Sequence, residues 1–433
     1  MKIATRSPFR SLALSLAFGG SLMFGAVGSI DSLRGGDWTN WRGPRGTGEA
    51  DDRSYPTTWS ATEGIRWEYE IPGVGGSTPI VHGDRILLTT GAAGRNWVIA
   101  LDSDGKELWR KDLGEERPGK HQKASGANPS PVADDEHVFV YFKSGDLACL
   151  DWDGNILWQR NLQQEFGEDT LWWDLGTSPI LTSKHVVVAC MHSGPSYLAA
   201  FDPKTGEIAW KQDRNLPAPE EANQSYTTPV VVKDGDRETI VTVGADHITG
   251  NDAATGEQLW SVGGLNPSQN GYFRSISSPV VAGEVVVAPY ARGDSLTAVR
   301  MGGSGDVTDS HVAWRGEAIS ADVPTPAYHD GAIFVLNDRG RIAKLDPRDG
   351  SILAETELER SRLAFSASPI IAGGHLYAIR EDGATFVVAL GEKLESIAKN
   401  ELGEFPTPVV ASPVMVDGRI LIRTGSRLYC IGD

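Results

Sequence analysis

Short apolar runs rich in β-branched residues recur along the chain, each bounded by glycine, aspartate, serine or proline. Examples are TPIVHG (78–83), DRILLTTG (84–91), SPILTS (178–183) and HVVVACM (185–191). This pattern reads as strands between tight turns. No window sustains a helical period beyond the N-terminus. The runs are not scattered. Eight of them open on a proline flanked by serine, threonine or proline: Pro79, Pro131, Pro179, Pro229, Pro279, Pro326, Pro369 and Pro413, spaced 43–52 residues apart. Such a period means one supersecondary unit copied, each copy burying its apolar face on its neighbours.

Each unit carries two strand candidates after its proline and then a hairpin. The hairpins read ALDSDGKELW (100–109), CLDWDGNILW (149–158), AFDPKTGEIAW (200–210), GNDAATGEQLW (250–260) and KLDPRDGSILAE (344–355). Asp102, Asp151, Asp202, Asp252 and Asp346 end one strand, where a short carboxylate bonds nearby backbone N–H groups. Gly105, Gly154, Gly206, Gly256 and Gly350 supply the positive φ of the turn. A tryptophan on the returning strand is placed to close the seam between neighbouring units. Four strands per unit is the blade of a propeller. The predicted fold class is therefore all-β, an eight-bladed propeller.

The ends predict how the ring closes. The final unit, residues 411–433, lacks its last strand, and IRWEYEI (65–71) precedes the first proline with Trp67 in the docking position. The N-terminal strand is expected to complete the last blade. The fifth to seventh units break the pattern. The fifth has a longer turn before Trp314, the sixth has Ala354 in the tryptophan position, and the seventh has neither turn nor tryptophan. These blades are expected to pack differently at the rim.

Composition supports this picture, with 50 glycines and 13 tryptophans. The first residues read as an export signal: Lys2, Arg6 and Arg10, then an apolar stretch over 11–24, then small residues over 26–29. No cysteine follows to take a lipid, and the apolar stretch is short and glycine-broken. No transmembrane span is expected in the mature chain, which would reside in the periplasm or cell envelope. The expected division is signal peptide 1–28, lead-in 29–63 and propeller 64–433. Net charge is −17, and removing the three basic residues of the signal would take it to −20. So acidic a surface disfavours nucleic acid and anionic lipid as partners. Cys149, Cys190 and Cys430 all fall in strand-like runs and read as small buried hydrophobes. A Cys149–Cys190 bridge stays open as an alternative.

The A-x-D-x-x-T-G-x-x-x-W pattern, clearest over 200–210 and 250–260, resembles the quinoprotein-type repeat. That family includes pyrroloquinoline-quinone (PQQ) dehydrogenases and non-enzymatic propellers of the BamB type. The resemblance covers residue 38 to the C-terminus. DWTNWRGPRGTG (37–48), RMGGSGDVT (300–308) and the ending LYCIGD are also similar to segments of exported bacterial PQQ-like proteins. It implies blade-docking roles for Trp67, Trp109, Trp158, Trp210, Trp260 and Trp314. For the dehydrogenases it implies a quinone between a tryptophan floor and a vicinal disulfide, with calcium held by carboxylates and amides. No two cysteines are adjacent here.

Function in a propeller lives on loops at one end of the central channel. The loops before each proline hold aromatics, amides and cations: Lys123, Asn128, Trp172, Trp173, Asn223, Gln224, Tyr226, Tyr272, Arg274, Arg362 and Phe365. These are candidate contacts for a partner or a planar ligand, and the same groups would equally serve to plug the channel. A second set lies on the strand-connecting turns: Asp246, His247, Arg292, Asp294, Asn337, Asp338, Arg339, Arg380, Glu381 and Asp382. Its carboxylates have no metal-ligand spacing. There is no HExxH, nucleophile elbow, P-loop or dinucleotide fingerprint, so no catalytic residue and no metal site is assigned. The expected function is a non-catalytic exported scaffold that binds envelope proteins or a small ligand, without a cofactor. The alternatives are a PQQ-dependent alcohol or sugar dehydrogenase, with Ca²⁺, and a carbohydrate-binding module.

Overall fold

Apolar runs and turn formers fold into eight sheets, seven of four strands and one of five. The computed structural model describes residues 37–432. The expected signal peptide, residues 1–28, and the first part of the lead-in lie outside the described residues. Blade 1 consists of Ile80–His82, Arg85–Ala92, Arg95–Asp102 and Glu107–Glu115. Blades 2 to 7 follow over residues 132–161, 180–213, 230–262, 280–316, 327–357 and 370–400. Blade 8 contains Val414–Val416, Arg419–Arg423 and Arg427–Ile431. Its fourth strand is Ile65–Glu70, paired antiparallel with Trp67 opposite Cys430 and Tyr69 opposite Leu428. The two ends of the propeller thus meet in one blade, as the sequence predicts, and no inner strand is left at an open end of the ring.

The core lies between the faces of neighbouring blades. Phe139, Tyr141 and Cys149 of blade 2, for example, pack with Val186, Val188 and Phe201 of blade 3. All three cysteines are buried and free. Burial pushes the thiols of Cys149 and Cys190 up to about 12 and that of Cys430 to about 11. They are small apolar packing groups at neutral pH.

The repeated hairpin explains the seams. Asp202 Oδ1 accepts the backbone N–H groups of Lys204 and Thr205, and Gly206 turns the chain at φ +71°. The Trp158 ring of the preceding blade lies on that glycine, where an added Cβ would sit 2.6 Å from the ring. Its indole N–H donates to Pro203 O at 2.9 Å. Trp67, Trp109, Trp210 and Trp314 repeat the arrangement on Ser103, Trp152, Ala253 and Pro347. Trp260 does not. Blade 5 lacks the short turn it would dock on, so Trp260 is buried against Gly250 of its own blade. Gly305–Asp306, from the long excursion of blade 5, pairs parallel to it as a fifth strand. The rim of blades 4 and 5 therefore departs from the repeat where the sequence does.

Candidate functional site

The residue before each of the eight prolines is serine or threonine, and the structure gives this a single cause. The backbone N–H of each donates to the side-chain hydroxyl of its counterpart in the next blade. The series runs Thr78 to Ser130, Ser178, Thr228, Ser278, Thr325, Ser368 and Ser412, and Ser412 donates back to Thr78. The eight distances are 2.9–3.2 Å. A closed ring of hydrogen bonds thus encircles the channel throat, with every member 2–5% exposed. The following proline has no N–H to leave unsatisfied at the start of an inner strand.

Below this ring, residues 37–50 enter the channel mouth. Trp38 pairs with Val81, Thr39 O accepts from Ala133 N, Thr47 O accepts from Tyr328 N, and Gly48 and Ala50 bond Ile371. Arg42 is 3% exposed. It donates to Pro369 O and Pro326 O, both at 2.9 Å. These are the carbonyls directly after two members of the hydroxyl ring. Burial pulls the Arg42 pKa down to about 9, so it is charged at neutral pH. Trp41 lines both a lower chamber of about 260 Å³ and the space above. The segment DWTNWRGPRGTG is therefore a plug, a role that its tryptophans and arginine did not disclose without the ring around them.

Above the ring, the loops between blades enclose a funnel of about 440 Å³, and all eight ring residues line its base. Its wall includes His121, Lys123, Asn128, Trp173, Asp174, Tyr226, Arg274, Arg292, Asp322 and Asp338. A fully buried ion pair, Lys143–Asp174, sets the first of these loops. Asp174 also accepts Lys120 N at 2.7 Å and His121 N at 3.2 Å. This holds His121 edge-on to Trp173, with ring centres 5.1 Å apart. Trp173 donates its indole N–H to Glu221 at 2.8 Å. Arg274, 8% exposed, pairs with Asp322 at 3.0 Å and approaches Glu221 at 3.4 Å. Its Nη1 and Nε have no hydrogen-bond partner. Burial pushes the Asp338 carboxyl up to about 6, against the backbone N–H donors of Asp322 and Val323.

Of the sequence candidates, Lys123, Asn128, Trp173, Tyr226 and Arg274 meet in the funnel. Trp172 and Tyr272 stand on the rim, 53% and 60% exposed. Asn223 and Arg362 lie outside the lining, the first half-buried and the second exposed. Gln224 is fully buried, its Oε1 accepting from Trp172 N and Tyr226 OH, so it holds the loop in place. Phe365 is a core residue, 1% exposed against Phe386. The second set contributes as well. Arg292 and Asp338 line the funnel, and Glu381 holds Lys123 Nζ at 2.6 Å. Trp41, His121, Asp174 and Asp322 are additions from the structure. Among the described residues, no three histidines, cysteines or carboxylates converge to hold a metal ion. Nor is any described helix long and apolar enough to cross a membrane.

Along the sequence, residues 56–194, 94–237, 198–311 and 304–431 match the family described as outer membrane protein assembly factor BamB. No curated protein is matched by the sequence. Among solved structures, the chain is similar to BamB from Moraxella catarrhalis, at 16% identity and TM-score 0.59, over 85% of this chain and 99% of that one. It is also similar to a europium-containing methanol dehydrogenase, at 11% identity and TM-score 0.68, over 92% and 98% of the two chains. A third likeness is to the quinohemoprotein alcohol dehydrogenase from Comamonas testosteroni, at 14% identity and TM-score 0.65, over 92% and 81%. At these identities the likeness is one of fold.

Proposed function

The chain belongs to the family of the outer membrane protein assembly factor BamB, and from that membership we propose that it is an exported, non-catalytic scaffold that binds envelope proteins through its upper face. One observation carries the reading. Trp172, Trp173, Tyr272 and Leu363 are 53%, 40%, 60% and 45% exposed. All stand within two residues of the funnel wall, on three different inter-blade loops. Large aromatic and aliphatic groups left in water around a concave, polar centre are the usual make-up of a protein-binding surface. Elsewhere, exposed aliphatics such as Leu108, Leu157 and Leu353 lie one or two to a blade on the outer strands of five blades, and exposure dispersed around the rim in this way needs no partner.

Trp172→Ala with Trp173→Ala tests this. The pair should abolish cross-linking of the chain to its envelope partner while leaving the melting temperature near that of the parent. Undiminished cross-linking would remove the upper face from the account. A PQQ-dependent dehydrogenase is the alternative reading. It would need a calcium site built from carboxylates and amides; among the described residues no three histidines, cysteines or carboxylates converge, and no step is derived through the quinone.

A further inference from the structure

We propose that the lower mouth of the propeller binds an extended peptide segment of a partner protein, laid along the unpaired inner edges of blades 3, 4 and 5. The argument starts from register. Val81, Ala133, Tyr328 and Ile371 each lie three residues after the ring hydroxyl of their blade. They stand opposite Ile86, Val138, Ile333 and Leu376 of the next strand. Each turns its N–H inward and donates it to the plug, at Trp38 O, Thr39 O, Thr47 O and Gly48 O, over 2.8–3.0 Å. Val81 O and Ile371 O accept in return from Trp38 N and Ala50 N. Leu181, Val231 and Val281 hold the same register in blades 3, 4 and 5, opposite Val186, Ile240 and Val286. Their N–H groups therefore face inward as well, yet none has an acceptor among the described residues. All three line the lower chamber of about 260 Å³ between the plug and the wall. In blade 8 the equivalent Met415 is buried in the core and does not line it.

The plug shows what fits such an edge. It gives one residue to each blade: Trp38 and Thr39 to blades 1 and 2, Thr47 and Gly48 to blades 6 and 7. Three successive residues of an extended chain thus span blades 3 to 5. Blades are copies of one unit, so a backbone that satisfies blades 6 and 7 is complementary to blades 4 and 5 also. Sheet edges with free donors and acceptors recruit strands, and the main-chain bonds supply the affinity. Ile180, Leu181, Val230, Val231 and Val281 make the wall apolar, which suits small or β-branched side chains. The charged side chains on the described lining are Arg42 and Arg45, so a basic segment is repelled. This mouth lies across the hydroxyl ring from the upper loops and stands independently of partner docking there.

The experiment is an amide NMR titration of the full exported chain with a blocked pentapeptide of sequence GTGEA, a copy of residues 46–50. The expected result is saturable shifts and slowed exchange at Leu181, Val231 and Val281, with Val81, Ala133, Tyr328 and Ile371 unmoved. Val231→Pro removes one inward donor and no ladder bond, because that N–H faces away from the neighbouring strand. It should weaken binding at least tenfold and melt near the parent, while Val231→Ala keeps the donor and should bind as the parent does. Lysine in place of the glutamate of the peptide should weaken binding. Trp172→Ala with Trp173→Ala should leave it unchanged, so this proposal and the upper-face reading fail separately. Absence of saturable shifts, equal affinity for Val231→Pro and parent, or slow exchange at all three amides before any peptide is added would overturn the proposal.

Discussion

Replacing Ser178 by alanine isolates what the hydroxyl ring contributes. The change deletes the acceptor of Ser130 N, a bond of 2.9 Å between residues 4–5% exposed. Both residues are nearly buried at the funnel base, so the N–H loses its protein acceptor at a cost of about 1–3 kcal/mol, the lower end applying where funnel water replaces the hydroxyl. Unfolding entropy near 2 cal/mol/K per residue, over roughly 400 residues, converts this to a fall of about 1–4 °C in Tm. Threonine already serves at Thr78, Thr228 and Thr325, so Ser178→Thr should melt with the parent. Distant ring changes such as Ser130→Ala and Ser368→Ala should add, whereas neighbours share a bond and need not. Differential scanning calorimetry of the four variants decides the matter. If Ser178→Ala melts with the parent, or if alanine and threonine destabilise equally, the hydroxyl is not what closes the throat.

Three further outcomes follow from buried charge and backbone geometry. Lys143→Met leaves Asp174 charged and alone in the interior and should cost about 3–5 kcal/mol in denaturant unfolding, most of it recovered by adding Asp174→Leu. Asp246 is 5% exposed, accepts from Tyr290 OH and Asn266, and is pushed up to about 6 by burial. A raised carboxyl binds its proton more tightly in the folded state, so stability grows as pH falls through 6. The parent should gain about 1 kcal/mol on Asp246→Asn between pH 7 and pH 5, and a flat difference would refute the assignment. Gly48 has φ +77°, and a Cβ there would run into the Arg42 guanidinium. Gly48→Ala should therefore loosen the plug, seen as faster amide exchange over residues 38–50 with the blades still protected.

The blades were legible because their signals are local. Asp202, Gly206 and Trp210 carry turn, backbone sign and the seam side chain within one repeat, and the missing fourth strand of the last unit implied its replacement by residues 65–70. Trp260 was misplaced because its docking surface belongs to the next blade, whose turn is replaced by an excursion. The site was legible only as a set of loops. Lys123, Arg274 and Trp173 converge because the ring brings remote loops together. Gln224 and Phe365, of similar residue types, point into the walls instead. The serine or threonine before each proline reads locally as a strand start. Its role as a link in a circle appears only when all eight copies are in place. The plug was hidden for the same reason, since the acceptors of Arg42 lie about 280 and 330 residues away.

The central claim is that the upper face, rather than the outer rim, meets the partner. The direct measurement is site-specific photo-cross-linking in the native envelope, with the reactive group placed in turn at Trp172, Tyr272 and Leu363, and at Leu108, Leu157 and Leu353 on the rim. The account predicts one discrete cross-linked species from the three upper positions and none from the rim. Cross-links confined to the rim, or none at any position from a folded chain, would contradict it.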